Sequence, residues 1–158
     1  MNITSPTRAQ HTYRQHLVAP PEKVFPLLCP VREAEWAVGW NPTKVVSTSG
    51  FAERDCVFTT PAANGETIWY VTRHEPANLF VEMLKITPGM TACRLEIQLL
   101  EDPTGCLADI TYSHTSLGPA GDEFVASFTP AYYQEFMREW ENELNYYLQH
   151  GRIFQKSE

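Results

Sequence analysis

The sequence has no long apolar run, no basic run and no closely spaced cysteine pair. No stretch approaches the roughly 20 apolar residues that a membrane-spanning helix needs. Twelve Lys and Arg stand against nineteen Asp and Glu, a net charge of −7. No cluster of positive residues offsets that balance, so nucleic acid and anionic membrane surfaces, which require a positive face, are excluded as partners. Cys29, Cys56, Cys93 and Cys106 are far apart and form no C-x-x-C pair. Met1 to Thr7 is short and polar, with no apolar signal core. Buried free thiols and a cytoplasmic location are therefore expected.

Standard catalytic signatures are also missing. There is no G-x-S-x-G, no Walker loop, no dinucleotide glycine fingerprint and no H-E-x-x-H. The histidines, His11, His16, His74, His114 and His150, are scattered without metal-ligand spacing. No metal site and no cofactor are expected.

What is present is apolar periodicity. Hydrophobic residues make up 43% of the chain and aromatics 12%, so rings must line much of the interior. Between Thr129 and Gly151, Tyr133, Phe136, Met137, Trp140, Leu144, Tyr147 and Leu148 repeat at helical spacing. Thr129 suits the N-cap, Pro130 the first helical position and Gly151 the exit. Upstream the period is two. Arg8 to Val18 reads as a first strand, with Ala9, His11, Tyr13, Gln15 and Leu17 on one face. Two short helices follow, Glu22 to Leu28 and Val31 to Trp36, separated by Pro30. About six strands come next, joined by turn-length connections that include Asn64-Gly65, Pro88-Gly89 and Pro103-Thr104-Gly105. Such connections make the sheet antiparallel. The fold class is α+β: a flexible arm at residues 1–7, then a single domain, 8–158, with a curved sheet of about seven strands around a long C-terminal helix.

The segment Leu17-Val18-Ala19-Pro20-Pro21-Glu22-Lys23-Val24-Phe25 resembles the strand-to-helix junction of the START-like superfamily. That superfamily includes the birch-pollen-allergen-like proteins and polyketide cyclases. The ending Glu135 to Gly151, with Leu144, Tyr147 and Leu148, and the element order are similar as well. The resemblance implies the helix-grip fold and a cavity between sheet and helix for lipids, polyketides or similar apolar ligands. It implies no catalytic residue, because the superfamily shares no catalytic motif.

Polar groups on faces that read as inward are the candidate contacts. Tyr70 shares a face with Ile68, Thr72 and His74, opposite Trp69, Val71 and Arg73. Glu82 shares one with Phe80, Leu84 and Ile86. Tyr112 and His114 continue the row of Ile110, and His11 and Tyr13 that of Leu17. The expected ligand-binding set is Tyr70, Phe80, Glu82, Tyr112, His114, Phe136, Met137 and Trp140, a few polar groups in an apolar wall. Each also has a plain structural role open to it: an exposed strand position for Glu82, core packing for the tyrosines and the helix stripe. Trp36 and Trp40 are placed near the cavity mouth, to gate it or to pin the loop. The N-terminal part of the helix, Tyr133 to Met137, is expected to line the cavity, with Leu144 to Leu148 closing its far end.

Binding of a small hydrophobic or aromatic molecule is the leading function. A cyclase or dehydratase using Glu82 or His114 as base and Tyr70 or Tyr112 as donor is the first alternative. A protein-interaction domain resembling a chaperone co-factor is the second, and a homodimer is compatible with the sequence.

Overall fold

The structure is a computed structural model, and it describes residues 1–156. The last two residues of the expected domain lie outside the described residues. The sheet has seven strands: β1 (Arg8–Leu17), β2 (Lys44–Val46), β3 (Val57–Ala62), β4 (Gly65–Glu75), β5 (Phe80–Thr87), β6 (Thr91–Asp102) and β7 (Gly105–Ser116). Their order is β1-β7-β6-β5-β4-β3-β2, every pair antiparallel. Residues 1–7 are exposed and form no helix or strand.

Between β1 and β2 the chain makes α1 (Pro21–Val24), a 3-10 turn (Phe25–Leu27) and a second one (Arg32–Glu35). The prolines account for the brevity. Pro21 starts α1, while Pro26 and Pro30 remove the amide donors that a longer helix would use. After β7 come α2 (Pro119–Ser127) and α3 (Pro130–His150), with the break at Phe128-Thr129. The hydroxyl of Thr129 accepts from the Tyr132 amide at 3.2 Å, and Gly151 closes α3 in the left-handed region at φ 68°.

Two glycines set close approaches. A Cβ on Gly105 would lie 2.0 Å from the Leu17 carbonyl oxygen, so β7 can begin beside the end of β1 only without a side chain. A Cβ on Gly121 would lie 1.9 Å from the Met90 carbonyl oxygen, which fixes α2 against the β5–β6 turn.

α3 lies along β1. Asn145 donates to the His16 carbonyl at 2.9 Å and accepts from the Val18 amide at 3.0 Å, and buried Gln15 donates to the Met137 carbonyl at 3.0 Å. Tyr133, Met137 and Leu144 are buried on this side with Ile97, Leu99, Ala108 and Ile110. The Tyr133 hydroxyl donates to the Ile110 carbonyl. All four cysteines are buried and unpaired. Among the described residues, no helix is long and apolar enough to cross a membrane.

Candidate functional site

The β-strand parity that builds the inner face differs from expectation on two strands. On β4 the buried residues are Thr67, Trp69 and Val71, while Ile68 and Tyr70 are exposed. On β5 they are Val81 and Met83. Two inner rows cross the sheet in register. One runs Phe58, Trp69, Lys85, Cys93, His114; the next runs Val71, Met83, Leu95, Tyr112, His11. A bulge between Val71 and Arg73 interrupts the alternation and leaves Arg73 outside.

These rows form the floor of a pocket of about 380 Å³. Phe58, Trp69, Met83, Lys85, Leu95, Ile97 and Tyr112 come from the sheet. Phe136, Glu139, Trp140 and Glu143 come from the middle of α3, and Glu33, Trp36, Ala37, Val38, Gly39 and Trp40 from the 3-10 segment and its exit. All four tryptophans of the chain line it. They are fixed by one another and by the backbone. Trp36 stacks on Trp140 at 5.8 Å, and Trp40 meets Phe58 and Trp69 edge-on at 6.1 and 5.9 Å. Trp36 donates to the Leu27 carbonyl at 3.0 Å, Trp40 to the Pro30 carbonyl at 2.8 Å and Trp69 to the Thr60 hydroxyl at 3.0 Å. Among the described residues, the indole N–H of Trp140 is buried without an acceptor. Trp36 and Trp40 therefore pin the 3-10 segment and form a wall at once.

Ionisable groups are set into this apolar lining. Desolvation pushes the Glu33 carboxyl up to about 8, and no neighbouring charge or hydrogen bond opposes it. The Glu33 residue as a whole is half-buried, yet its carboxyl is enclosed by the wall. Burial lowers the Lys85 ammonium, which lies 5.0 Å from the Trp69 ring centre. The nearby Cys93 thiol opposes that shift, and no carboxylate does. Glu143 is also raised by burial, but accepts from the Val38 amide at 3.0 Å. Burial raises the Tyr112 hydroxyl well above its ordinary range, with the Cys93, Tyr133 and Glu33 charges adding to the effect.

The expected residues divide sharply. Tyr112, Phe136 and Trp140 line the pocket. Tyr70 stands on the outer face, 40% exposed, donating to Asp55 at 2.9 Å. Phe80 is outside as well, covered by the Arg73 guanidinium at 4.4 Å. Glu82 accepts there from the Thr72 hydroxyl at 2.8 Å. Met137 is fully buried in the core, one helical step from the pocket stripe Phe136, Trp140 and Glu143. The pocket thus faces residues 136–143, not Tyr133 to Met137. His114 is buried among Phe124 and Phe128, at 4.8 and 4.6 Å, behind the Tyr112 row. Burial brings its imidazole down to about 4, with Lys85 and His11 adding smaller effects, and its Nδ1 has no partner. His11 bonds the Phe128 carbonyl at 2.7 Å. Residues missed from the sequence are Glu33, Trp69 and Lys85. Trp69 was the available signal, since the bulkiest apolar residue of β4 belongs on the face opposite Tyr70.

A seven-stranded antiparallel sheet, short helical turns after β1 and one long C-terminal helix against the inner face leave one architecture. The chain has the helix-grip fold. No protein-family model matches the chain, and no curated protein matches it. Solved structures do. Norcoclaurine synthase from Thalictrum flavum aligns at a TM-score of 0.67 with 9% identity, over 95% of this chain and 99% of that one. A protein from Rhodobacter sphaeroides aligns at 0.63 with 18% identity, over 92% and 98%. Ara h 8.0201 aligns at 0.60 with 12% identity, over 87% and 98%. At these identities the likeness establishes the helix-grip fold.

Proposed function

We propose that the protein binds a small hydrophobic or aromatic molecule in the pocket between β3–β5, the 3-10 segment and α3. The observation that carries this is the lining: about 380 Å³ walled by all four tryptophans, with Phe58, Phe136 and Tyr112. That volume and composition match pockets for small organic ligands, which are mostly apolar with a few placed polar groups. A protein-interaction domain would instead fill its interior. The experiment is a titration with N-phenyl-1-naphthylamine, an uncharged aromatic dye, read by quenching of tryptophan emission. Saturable one-to-one quenching supports binding. Absence of quenching, with the protein folded, refutes it.

An acid–base enzyme of cyclase or dehydratase type is the second reading, and one observation favours it. Glu33 and Lys85 face one pocket with their ordinary proton affinities shifted in opposite directions. Paired groups of that kind are typical of acid–base sites. A point mutant of norcoclaurine synthase, which has the same fold, is in complex with a transition-state analogue. Glu82 and Tyr70, on the outer face, drop out of the candidate roles, and Glu33, Lys85 and Tyr112 replace them.

A further inference from the structure

The pocket is unevenly supplied with hydrogen-bonding groups. Lys85 projects from the middle of the sheet floor into it and forms no salt bridge among the described residues. The Lys85 ammonium is set over the Trp69 ring, with the Cys93 thiol as its opposing influence and His114 beyond. A half-buried cation without a counterion gives up part of its hydration with nothing in return. Tyr112 adds a hydroxyl at the pocket, and Trp140 a buried indole N–H with no acceptor among the described residues. The pocket therefore holds an ammonium without a salt-bridge partner and an indole N–H without an acceptor, with the Tyr112 hydroxyl beside them. The carboxyls lie elsewhere, at Glu33, Glu139 and Glu143 on the 3-10 and α3 walls. None of them is paired with Lys85.

We propose that the ligand is a flat aromatic molecule with one anionic group, a carboxylate, seated on Lys85. This rests on the binding reading above and deepens it. The aromatic body lies against Trp69 and Trp40 on one side and Phe136 and Trp140 on the other, where face and edge contacts with rings are available. The carboxylate supplies the negative charge that Lys85 lacks, in an apolar setting where a charge-assisted hydrogen bond is strong. The Tyr112 hydroxyl is a second donor on the same floor. One anionic group suffices. A second would meet Glu139 and Glu143 on the opposite wall, where like charges repel it.

The test compares 2-naphthylacetate with 2-naphthaleneethanol, which share a ring system and differ in the anionic end. Dissociation constants are measured by calorimetry for the wild-type chain and for Lys85→Met, whose fold is checked by circular dichroism. The wild type is expected to bind the acid roughly tenfold or more tightly than the alcohol, the size of one charge-assisted contact. In Lys85→Met that preference disappears, and the alcohol binds within about twofold of wild type, since the apolar walls that hold its ring system remain. An absent preference in the wild type overturns the inference, as does a preference that survives in Lys85→Met. Equal loss of both ligands in a folded Lys85→Met protein makes Lys85 a wall residue only, and also overturns it. If neither compound nor the uncharged dye binds the wild type, the binding reading itself fails. If the dye and the alcohol bind and the acid does not, only the carboxylate assignment fails.

Discussion

The two halves of the inner sheet face are built differently. Between α3 and strands β1, β6 and β7 the interior is closed: Leu99, Ala108, Ile110, Met137 and Leu144 fill it, and Gln15 and Tyr133 donate there to the backbone of α3 and β7. Under β3, β4 and β5 the same sheet faces a 3-10 segment and the middle of α3 across open space, with Lys85 on the floor and Glu33 on the wall. The closed half obeys the rule that buried charge is paired or absent. The open half breaks it twice. Local rules are broken where a fold has something to hold, and here the breach coincides with all four tryptophans.

The largest expected effect contrasts the two faces of α3. Met137→Ala, in the closed half, should cost about 2–5 kcal/mol of stability. Phe136→Ala, one residue away but 38% exposed at the pocket, should cost about 1 kcal/mol and weaken dye binding instead. Urea unfolding of both variants checks this. Equal costs would remove the distinction between the halves.

Glu33 gives a pH signature to the open half. Its folded proton affinity lies near 8 against 4.5 for the ordinary carboxyl. Between those values unfolding releases a proton, so stability falls as pH rises from about 4.5 to about 8 and is flat above. At about 1.4 kcal/mol per pH unit over that shift, the loss is about 5 kcal/mol. Glu33→Gln should abolish that slope, seen in unfolding midpoints measured at pH 5 and pH 8.5. A slope unchanged in Glu33→Gln would place its origin elsewhere.

Lys85 has the opposite sign. Its ammonium is harder to hold in the fold than in the unfolded chain, so its cost is present below the ordinary lysine range and vanishes above it. Lys85→Met should raise the melting temperature at pH 7, by about 2–4 °C for each kcal/mol relieved. The gain should shrink toward pH 10.5. A lowered melting temperature at pH 7 would mean that Lys85 is compensated after all.

The smallest effects belong to the outer face. Tyr70→Phe and Glu82→Gln should leave dye affinity unchanged within error, since both side chains end on Asp55 and Thr72 away from the pocket. A clear change in either would put the β4 and β5 faces in question.

That outer face is also where the sequence misleads. α3 was legible from its ends inward, because Thr129, Pro130 and Gly151 carry their capping chemistry locally and seven apolar residues share one side. β6 and β7 were legible too: Cys93, Leu95, Ile97 and Leu99, then Cys106 to His114, alternate cleanly with polar neighbours, and all are buried. On β5 the two faces compete. Phe80, Leu84 and Ile86 look at least as apolar as Val81, Met83 and Lys85, and the lysine tips the choice outward. On β4, Arg73 shares the spacing of Trp69 and Val71 until the bulge swings it out. A half-buried lysine facing the pocket and a bulge are tertiary facts, and no period-two pattern contains them. Glu33 was hidden for another reason. Its 3-10 turn is exposed along much of its length, so only the packing of Trp36 and Trp140 reveals that its carboxyl is enclosed.

The central claim is that the tryptophan-lined half is a ligand pocket while the other half is solid core. Titration with N-phenyl-1-naphthylamine, followed by nitrogen-15 NMR, tests it most directly. The four indole N–H signals, Trp36, Trp40, Trp69 and Trp140, should shift saturably together while the amides of Leu99, Ala108, Ile110 and Leu144 stay in place. Indole signals that do not move, or core amides that move with them, would contradict it.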